Sequence, residues 1–462
     1  MELLFHRIGS YVRAINPVEP PTETATERGS RAMSHALPPK PAPRLRIGFV
    51  HRFNAQNIRS WSGTFFFMAR ALEQHVGEVV YLGPDESVGT KFIIDNTARV
   101  NRMWQRITGK ILATDHNRVL SRRLARFFES RIAEQHCDIL FAPAASVEIA
   151  DLHTAAPIVY SSDTTWHDVI DYYPEYSGLS SIARFEGERI EAAAITRASA
   201  IVYPSDWAIR TAREHYEAPA GKIFKVSFGA NLESVPSRAA ALQHSLNGPV
   251  RLLMIGVDWE RKGGSIAFEC LTSLIDRGVD AHLTIVGCTP PPEFAHPNLE
   301  VIPFLNKLER EQQQRMSRLF LDAHFLLFPT RAEAMGIVTC EASAHGLPAL
   351  VTETGGTTGA LRDGINGFLL PFAARGSAYA DKILSVIASP TRYSELVASS
   401  RDEYETTLNW DAWGRAVRSV VEKLLDRTID PGLESAGASA KPPSPASSSE
   451  LDSSLAAEVT HG

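Results

Sequence analysis

The strongest constraint on the fold is a rhythm of short apolar runs. LRIGFV (45–50), EVVYLGP (78–84), DILFAP (138–143), APIVYSS (156–162) and AIVYPS (200–205) are rich in β-formers, and helical patterns such as FFFMARALEQH (65–75) fall among them. The same rhythm resumes in VRLLMIG (250–256), AHLTIVG (281–287), LEVIPFL (299–305), AHFLLFPT (323–330), LPALVTE (347–353) and GFLLP (367–371). Apolar runs of this length, punctuated by Gly or Pro and alternating with helices, are strands buried on both faces of a parallel sheet. The rhythm breaks over 229–249, where Gly229, Asn231, Pro236, Gly248 and Pro249 fall without periodicity. The expected class is therefore α/β. It comprises two doubly wound parallel-sheet domains, each with its functional edge at the carboxyl ends of the strands.

Composition sets the outer limits. Residues 17–43 hold seven prolines, and 431–462 is dominated by Ser, Ala and Pro. Neither stretch has the apolar content to offset the entropy of ordering, so both are expected to be disordered tails. Leu4, Ile8, Tyr11, Val12 and Ile15 leave room for a short amphipathic helix within 1–43. The expected division is a first domain over 44–230, a linker over 231–249 and a second domain over 250–400. A closing segment over 401–430 is expected to pack back on the first domain. Its helix, about 411–426, gathers Trp413, Val417, Val420, Val421 and Leu424 on one side.

Lys and Arg total 47 against 53 Asp and Glu, a net charge of −6, which argues against a dedicated nucleic-acid binder. The four cysteines show no C-x-x-C spacing, so no zinc or redox motif is indicated and reduced thiols are expected. No run reaches the length of a membrane span, and MELLFHRIGS is interrupted too often for a leader, so a cytoplasmic protein is expected. One region departs from the acidic average. Residues 99–131 hold nine basic and two acidic residues, with Met103, Trp104, Ile107 and Ile111 spaced for one helical face. Such a helix suits either an anionic membrane surface or packing on its own domain.

The segment carrying most chemical information is FPTRAEAMGIVTCEASAHGLPALVTETGG (328–356). A strand ends at Pro329, a loop holds Glu333, and Ile337–His345 form a helix stopped by Gly346 and Pro348. Glu333 and Glu341 are eight residues apart. On one continuous helix they would be rotated by about 80° from each other, so they are not a facing glycosidase pair. Placed in the loop, Glu333 instead lies beside the helix-start N–H groups of Gly336, Ile337 and Val338, which can hold a phosphate or diphosphate. A second locus, MIGVDWERKGGS (254–265), puts Arg261 and Lys262 after another strand, where a basic side chain can reach phosphate oxygens.

With these residues in view, 250–371 resembles the donor domain of retaining glycosyltransferases of family 4, which have the GT-B fold of two Rossmann-like domains facing a cleft. The matching pieces are Gly256 to Gly263, LTIVG (283–287), EAMGIVTCEASAHGLP (333–348), TGG (354–356) and DGINGFLL (363–370). IVYPSDWAIR (201–210) and KIFKVSFGAN (222–231) match more weakly, and the whole resemblance spans about 45–427.

The resemblance implies a nucleotide-diphosphate sugar as co-substrate, with no cofactor and no metal, and a glycan, lipid-linked or small-molecule acceptor. It implies that Glu341 binds the ribose hydroxyls and Glu333 the sugar hydroxyls. Gly336, Ile337 and Val338 would meet sugar and phosphate through their backbone. Lys262 would meet the diphosphate beside the Gly256 and Gly263 turns. Family members often carry Arg directly after the first strand's glycine; here that residue is Val257, and Arg261 is expected to substitute. The usual Glu after the paired glycines is also missing, in GGTTGA, where Gly359 stands.

In the first half, the family pattern turns Ser62, Gly63 and Thr64 toward the cleft, while the residues alone also allow a capped helix entry. SSDTTWHDVIDYYPEY (161–176) follows a strand and is dense in aromatic and polar groups suited to sugar recognition, with Asp163 and His167 as candidates. The expected function is retaining glycosyl transfer. The alternatives are a sugar-nucleotide 2-epimerase on the same fold and a non-catalytic nucleotide-sugar-binding protein.

Overall fold

A computed structural model describes residues 44–426. The tails expected at 1–43 and 431–462, and the amphipathic helix suggested within the first, lie outside the described residues.

The apolar runs form two six-stranded, all-parallel sheets. The first contains β1 (Arg46–Phe49), β2 (Glu78–Tyr81), β3 (Ile139–Pro143), β4 (Ile158–Ser161), β5 (Ala200–Tyr203) and β6 (Ile223–Lys225), in the order β2-β1-β3-β4-β5-β6. The second contains β7 (Val250–Ile255), β8 (Ala281–Val286), β9 (Leu299–Ile302), β10 (Phe325–Phe328), β11 (Ala349–Thr352) and β12 (Gly367–Leu370). Its order, β9-β8-β7-β10-β11-β12, is the 3-2-1-4-5-6 arrangement of the Rossmann fold. Every residue of β3, β4, β5, β10 and β11 is buried, because helices cover both faces of these central strands.

The helices of the first half are α1 (Thr64–His75), α2 (Val88–Thr108), α3 (Arg118–Gln135), α4 (Ser181–Arg197) and α5 (Asp206–Glu214). Those of the second are α6 (Gly264–Asp276), α7 (Arg310–Asp322), α8 (Ile337–Ala344), α9 (Gly376–Ile387) and α10 (Pro390–Thr406), and α11 (Trp410–Leu425) closes the described chain. No described helix is long and apolar enough to cross a membrane.

Helix α11 returns to the first sheet. Its buried Trp413 meets Phe141 of β3 edge-on at 5.6 Å, and Asp411 accepts from His75 Nε2 of α1 at 3.0 Å. Gly414 is required there, since a Cβ would sit 2.4 Å from the His75 ring. The boundary expected at 400 falls inside α10, whose Arg401 guanidinium bonds the Ala344 carbonyl at the end of α8. The return to the first sheet thus begins at α11.

The 231–249 segment is not a bare linker. It contains a helical turn, Arg238–Ala241, and His244 bonds the carbonyls of Ala323 and His345 at 2.9 and 2.8 Å, fastening it to the second sheet's helices. Ile111 also departs from expectation. Helix α2 stops at a left-handed Gly109, and Ile111 forms a bridge with Leu179 instead of joining the Met103–Ile107 face.

Candidate active site

In a doubly wound sheet, ligands sit outside the carboxyl ends of the strands where the order reverses. In the second sheet that point lies between β7 and β10. The two segments singled out from the sequence are the loops leaving these strands. Gly263 lets them touch, because a Cβ there would lie 2.0 Å from the Pro329 carbonyl and φ is +73°.

Glu333 stands at the centre of the contact. The Lys262 ammonium bonds its Oε2, and Arg261 Nη1 lies 3.6 Å from the same oxygen. Arg261 also donates to the Ala332 carbonyl at 3.1 Å, while its Nε is buried with no hydrogen-bond partner. Burial pushes the Lys262 ammonium below the ordinary lysine range, and Glu333 opposes that shift. Lys262 Nζ also lies over the Phe328 ring at 4.7 Å. Behind Glu333, Gly336 takes φ +87° and starts α8, so Ile337 and Val338 occupy the first turn, where N–H groups lack intrahelical acceptors. Glu341, 3% exposed on α8, accepts from Lys307 Nζ at 2.6 Å. Gly256 gives room for the Lys262 stem, which a Cβ would meet at 2.6 Å. Val257 is exposed, and the guanidinium near Glu333 belongs to Arg261.

The first half reaches this group through the loop after β4. Tyr172 Oη accepts the Glu333 N–H at 2.9 Å and pairs with Thr354 Oγ1 at 3.0 Å. The Arg261 guanidinium lies 5.8 Å from the Tyr173 ring centre. Asp163, part-buried in the same loop, has its carboxyl pushed up to about 7, chiefly by desolvation, with the Glu333 charge adding to the rise.

His167 does not join this group. Its Nδ1 lies 2.8 Å from Glu188 Oε1, and its ring stacks on His215. The Ser62-Gly63-Thr64 turn is not a side-chain cap. Trp61, Ser62 and Gly63 all have positive φ, and Gly63 is the residue that enters α1. Asn231 holds the turn, donating to Ser62 O at 3.0 Å and Thr64 Oγ1 at 3.1 Å while accepting from Trp410 Nε1 at 3.1 Å.

Tyr172, Thr354 and Lys307 were not singled out from the sequence; the aromatic density of 161–176 was the available signal for the first. A polar cluster at the first sheet's own reversal point, between β1 and β3, was also missed. There Arg52 lies 3.8 Å from buried Glu148 and 3.7 Å from Asp115.

Two six-stranded parallel sheets with these connections place the chain in the GT-B structural class. Residues 249–389 match the family model described as Glycosyl transferases group 1, which covers the whole second sheet and the Glu333 loop. A D-inositol 3-phosphate glycosyltransferase of Nocardiopsis dassonvillei is 28% identical over 252 residues, covering 50% of this chain and 56% of the relative. The chain thus spans about half the length of that curated relative. Among solved structures, sucrose-phosphate synthase of Thermosynechococcus elongatus superposes with a TM-score of 0.58 at 14% identity, covering 83% of this chain and 100% of that one. HepE of Anabaena in complex with UDP gives 0.50 at 14% identity, covering 82% and 100%.

Proposed function

We propose that this protein is a retaining glycosyltransferase that moves a sugar from a nucleotide diphosphate to an acceptor hydroxyl. One observation carries the reading: Arg261 and Lys262 converge on Glu333 at the β7/β10 reversal, eight residues before the buried carboxylate of Glu341, which lies about one turn into α8. A departing diphosphate needs positive charge held in place before it leaves, and two fixed cations supply it. In this reading Lys262 and Arg261 take the diphosphate, and the first-turn N–H groups of α8 face sugar and phosphate. Glu333 takes sugar hydroxyls, and Glu341 exchanges Lys307 for the ribose.

Retention follows if the acceptor attacks from the face the diphosphate leaves, with a phosphate oxygen accepting the acceptor's proton. The protein then supplies position and charge, without a dedicated base or a metal in the donor chemistry. The UDP held by a protein of the same fold makes uracil the first base to test.

The acceptor side is the loop after β4 with the Ser62–Thr64 turn, facing a glycan or lipid-linked acceptor of the kind used in polysaccharide assembly. We also assign peripheral attachment to the anionic inner face of a membrane. On α2, Met103 and Ile107 are 59% and 77% exposed, Phe92 continues their row, and Arg99, Arg102 and Arg106 lie among them. Apolar insertion flanked by cations is how an interfacial helix binds acidic lipid.

The deciding experiment incubates purified protein with UDP-, GDP- and ADP-sugars and reads thermal shift and slow donor hydrolysis. One nucleotide series should stabilise the protein, and Glu341→Ala should abolish that effect. No stabilisation by any of them would refute the reading. Sedimentation with anionic liposomes tests the membrane surface, and failure to pellet at low salt would refute it.

A further inference from the structure

We propose that His167, Glu188 and His215 form a binding site for a divalent transition-metal ion of the zinc type, separate from the Glu333 group and independent of the donor reading. One ligand atom from each of the three residues lies within 4.8 Å of the others. His167 Nδ1 is 2.8 Å from Glu188 Oε1, and His215 Nε2 is 3.1 Å from Glu188 Oε2. In tetrahedral zinc, bonds of about 2.0 Å separate neighbouring ligand atoms by about 3.3 Å, close to these spacings, and the two stacked rings must swing apart to aim their lone pairs at one ion. Two imidazoles and one carboxylate with solvent at the fourth position are a borderline-soft set that prefers zinc over calcium or magnesium.

The scaffold holds these groups in place by bonds of its own. His167 lies in a one-turn helix, Trp166–Val169, closed by a reciprocal Thr165–Asp168 capping box. Thr211 Oγ1 of α5 donates to Asp168 Oδ1 at 2.5 Å, so the His167 turn is tied to the helix that His215 terminates. The two imidazoles lie face to face, 3.7 Å between centres and 25° from parallel, each presenting a nitrogen to the same carboxylate. Tyr216 Oη donates to Glu188 Oε2 at 2.6 Å and accepts from the His167 N–H at 3.1 Å. A hydroxyl that orients a ligating carboxylate in this way is the outer-shell support that metal sites need. Exposed histidine–carboxylate pairs contribute little by themselves. Four residues from three segments, His167, Glu188, His215 and Tyr216, meet at one carboxylate and suit an ion better than isolated pairs.

The location gives the site a role. Five residues after His167 comes Tyr172, followed by Tyr173, and these meet Glu333 and Arg261. An ion at His167 would fasten the base of that loop to α4 and α5.

The test uses the full chain, free of any polyhistidine tag and stripped with a chelator. Zn²⁺ is titrated against a chromophoric chelator, and the thermal midpoint is read with and without the ion. One tight equivalent and a raised midpoint are expected. His167→Ala and His215→Ala should each weaken binding at least tenfold, and Tyr216→Phe about tenfold. The double variant His167→Ala/His215→Ala, folded by circular dichroism, should lose the equivalent. Absence of a tight equivalent in the parent, or its retention at unchanged affinity in the double variant, overturns the proposal. Should the histidine variants not fold, Co²⁺ added to the parent decides: intense visible bands of a tetrahedral ion support the site, and the weak spectrum of hydrated Co²⁺ overturns it.

Discussion

The hydroxyl of Tyr172 accepts the backbone N–H of Glu333 at 2.9 Å, joining residues 161 positions apart. The bond thus ties the loop after β4 to the backbone of the residue whose carboxylate holds Lys262. Tyr172→Phe keeps the ring against Trp207, 5.1 Å away, and removes this link, the 3.4 Å bond to the Glu333 carbonyl and the contact with Thr354. The expected loss is about 1 kcal/mol, seen as a lower urea midpoint. An unchanged midpoint would show that water replaces the hydroxyl.

Lys262 and Glu333 are part-buried and bonded to each other, so each is costly to remove alone. Lys262→Met should destabilise by about 3 kcal/mol, because Glu333 then keeps only Arg261 at 3.6 Å. Adding Glu333→Gln should restore most of that loss. Activity should behave differently: single and double variants should each lose about 100-fold or more in turnover with a nucleotide sugar. Denaturant curves and initial rates on the same four proteins separate the two roles.

Asp163 gives a pH signature. Its folded carboxyl is raised to about 7, chiefly by desolvation, against about 3.9 in an unfolded chain. Between these values the folded state holds a proton that the unfolded state has released. Its contribution to stability is therefore complete below pH ~4 and is lost as pH rises to ~7. Asp163→Asn removes this dependence. The thermal midpoint of the variant relative to the parent should climb from pH 5 to pH 7 and then level off. A difference constant across that range would contradict the raised carboxyl.

Gly263 brings the two site loops together. Gly263→Ala places a Cβ 2.0 Å from the Pro329 carbonyl at φ +73°, combining backbone strain with a steric clash. The expected cost is about 3 kcal/mol or more. Gly278, with φ +77° and nothing within 4 Å, is the control: Gly278→Ala meets strain without a clash and should cost about 1 kcal/mol. Equal losses at the two sites would contradict the close approach of the loops.

Much of the architecture was legible because its signals are local. The strand runs, the helix over Ile337–Ala344 and its stop at Gly346 all follow from periodicity and breakers within about ten residues. The sequence also placed Glu333 in a loop and put Arg261 and Lys262 after another strand. It did not show that the cations meet Glu333 across 71 residues, that Tyr172 bonds its N–H, or that Lys307 holds Glu341. It directed His167 to the cleft, whereas packing of three helical segments set it on Glu188 beside His215. It extended the apolar face of α2 to Ile111, which lies beyond the left-handed stop at Gly109.

The sequence by itself determined which stretches are strands, which are helices and where the charged loops begin. The tertiary structure alone decided which loops become neighbours. Strand order does part of that, by setting β7 against β10, and packing between the two halves brings the loop after β4 onto them. Strand order is a property of non-local pairing, to which periodicity within any one segment is blind.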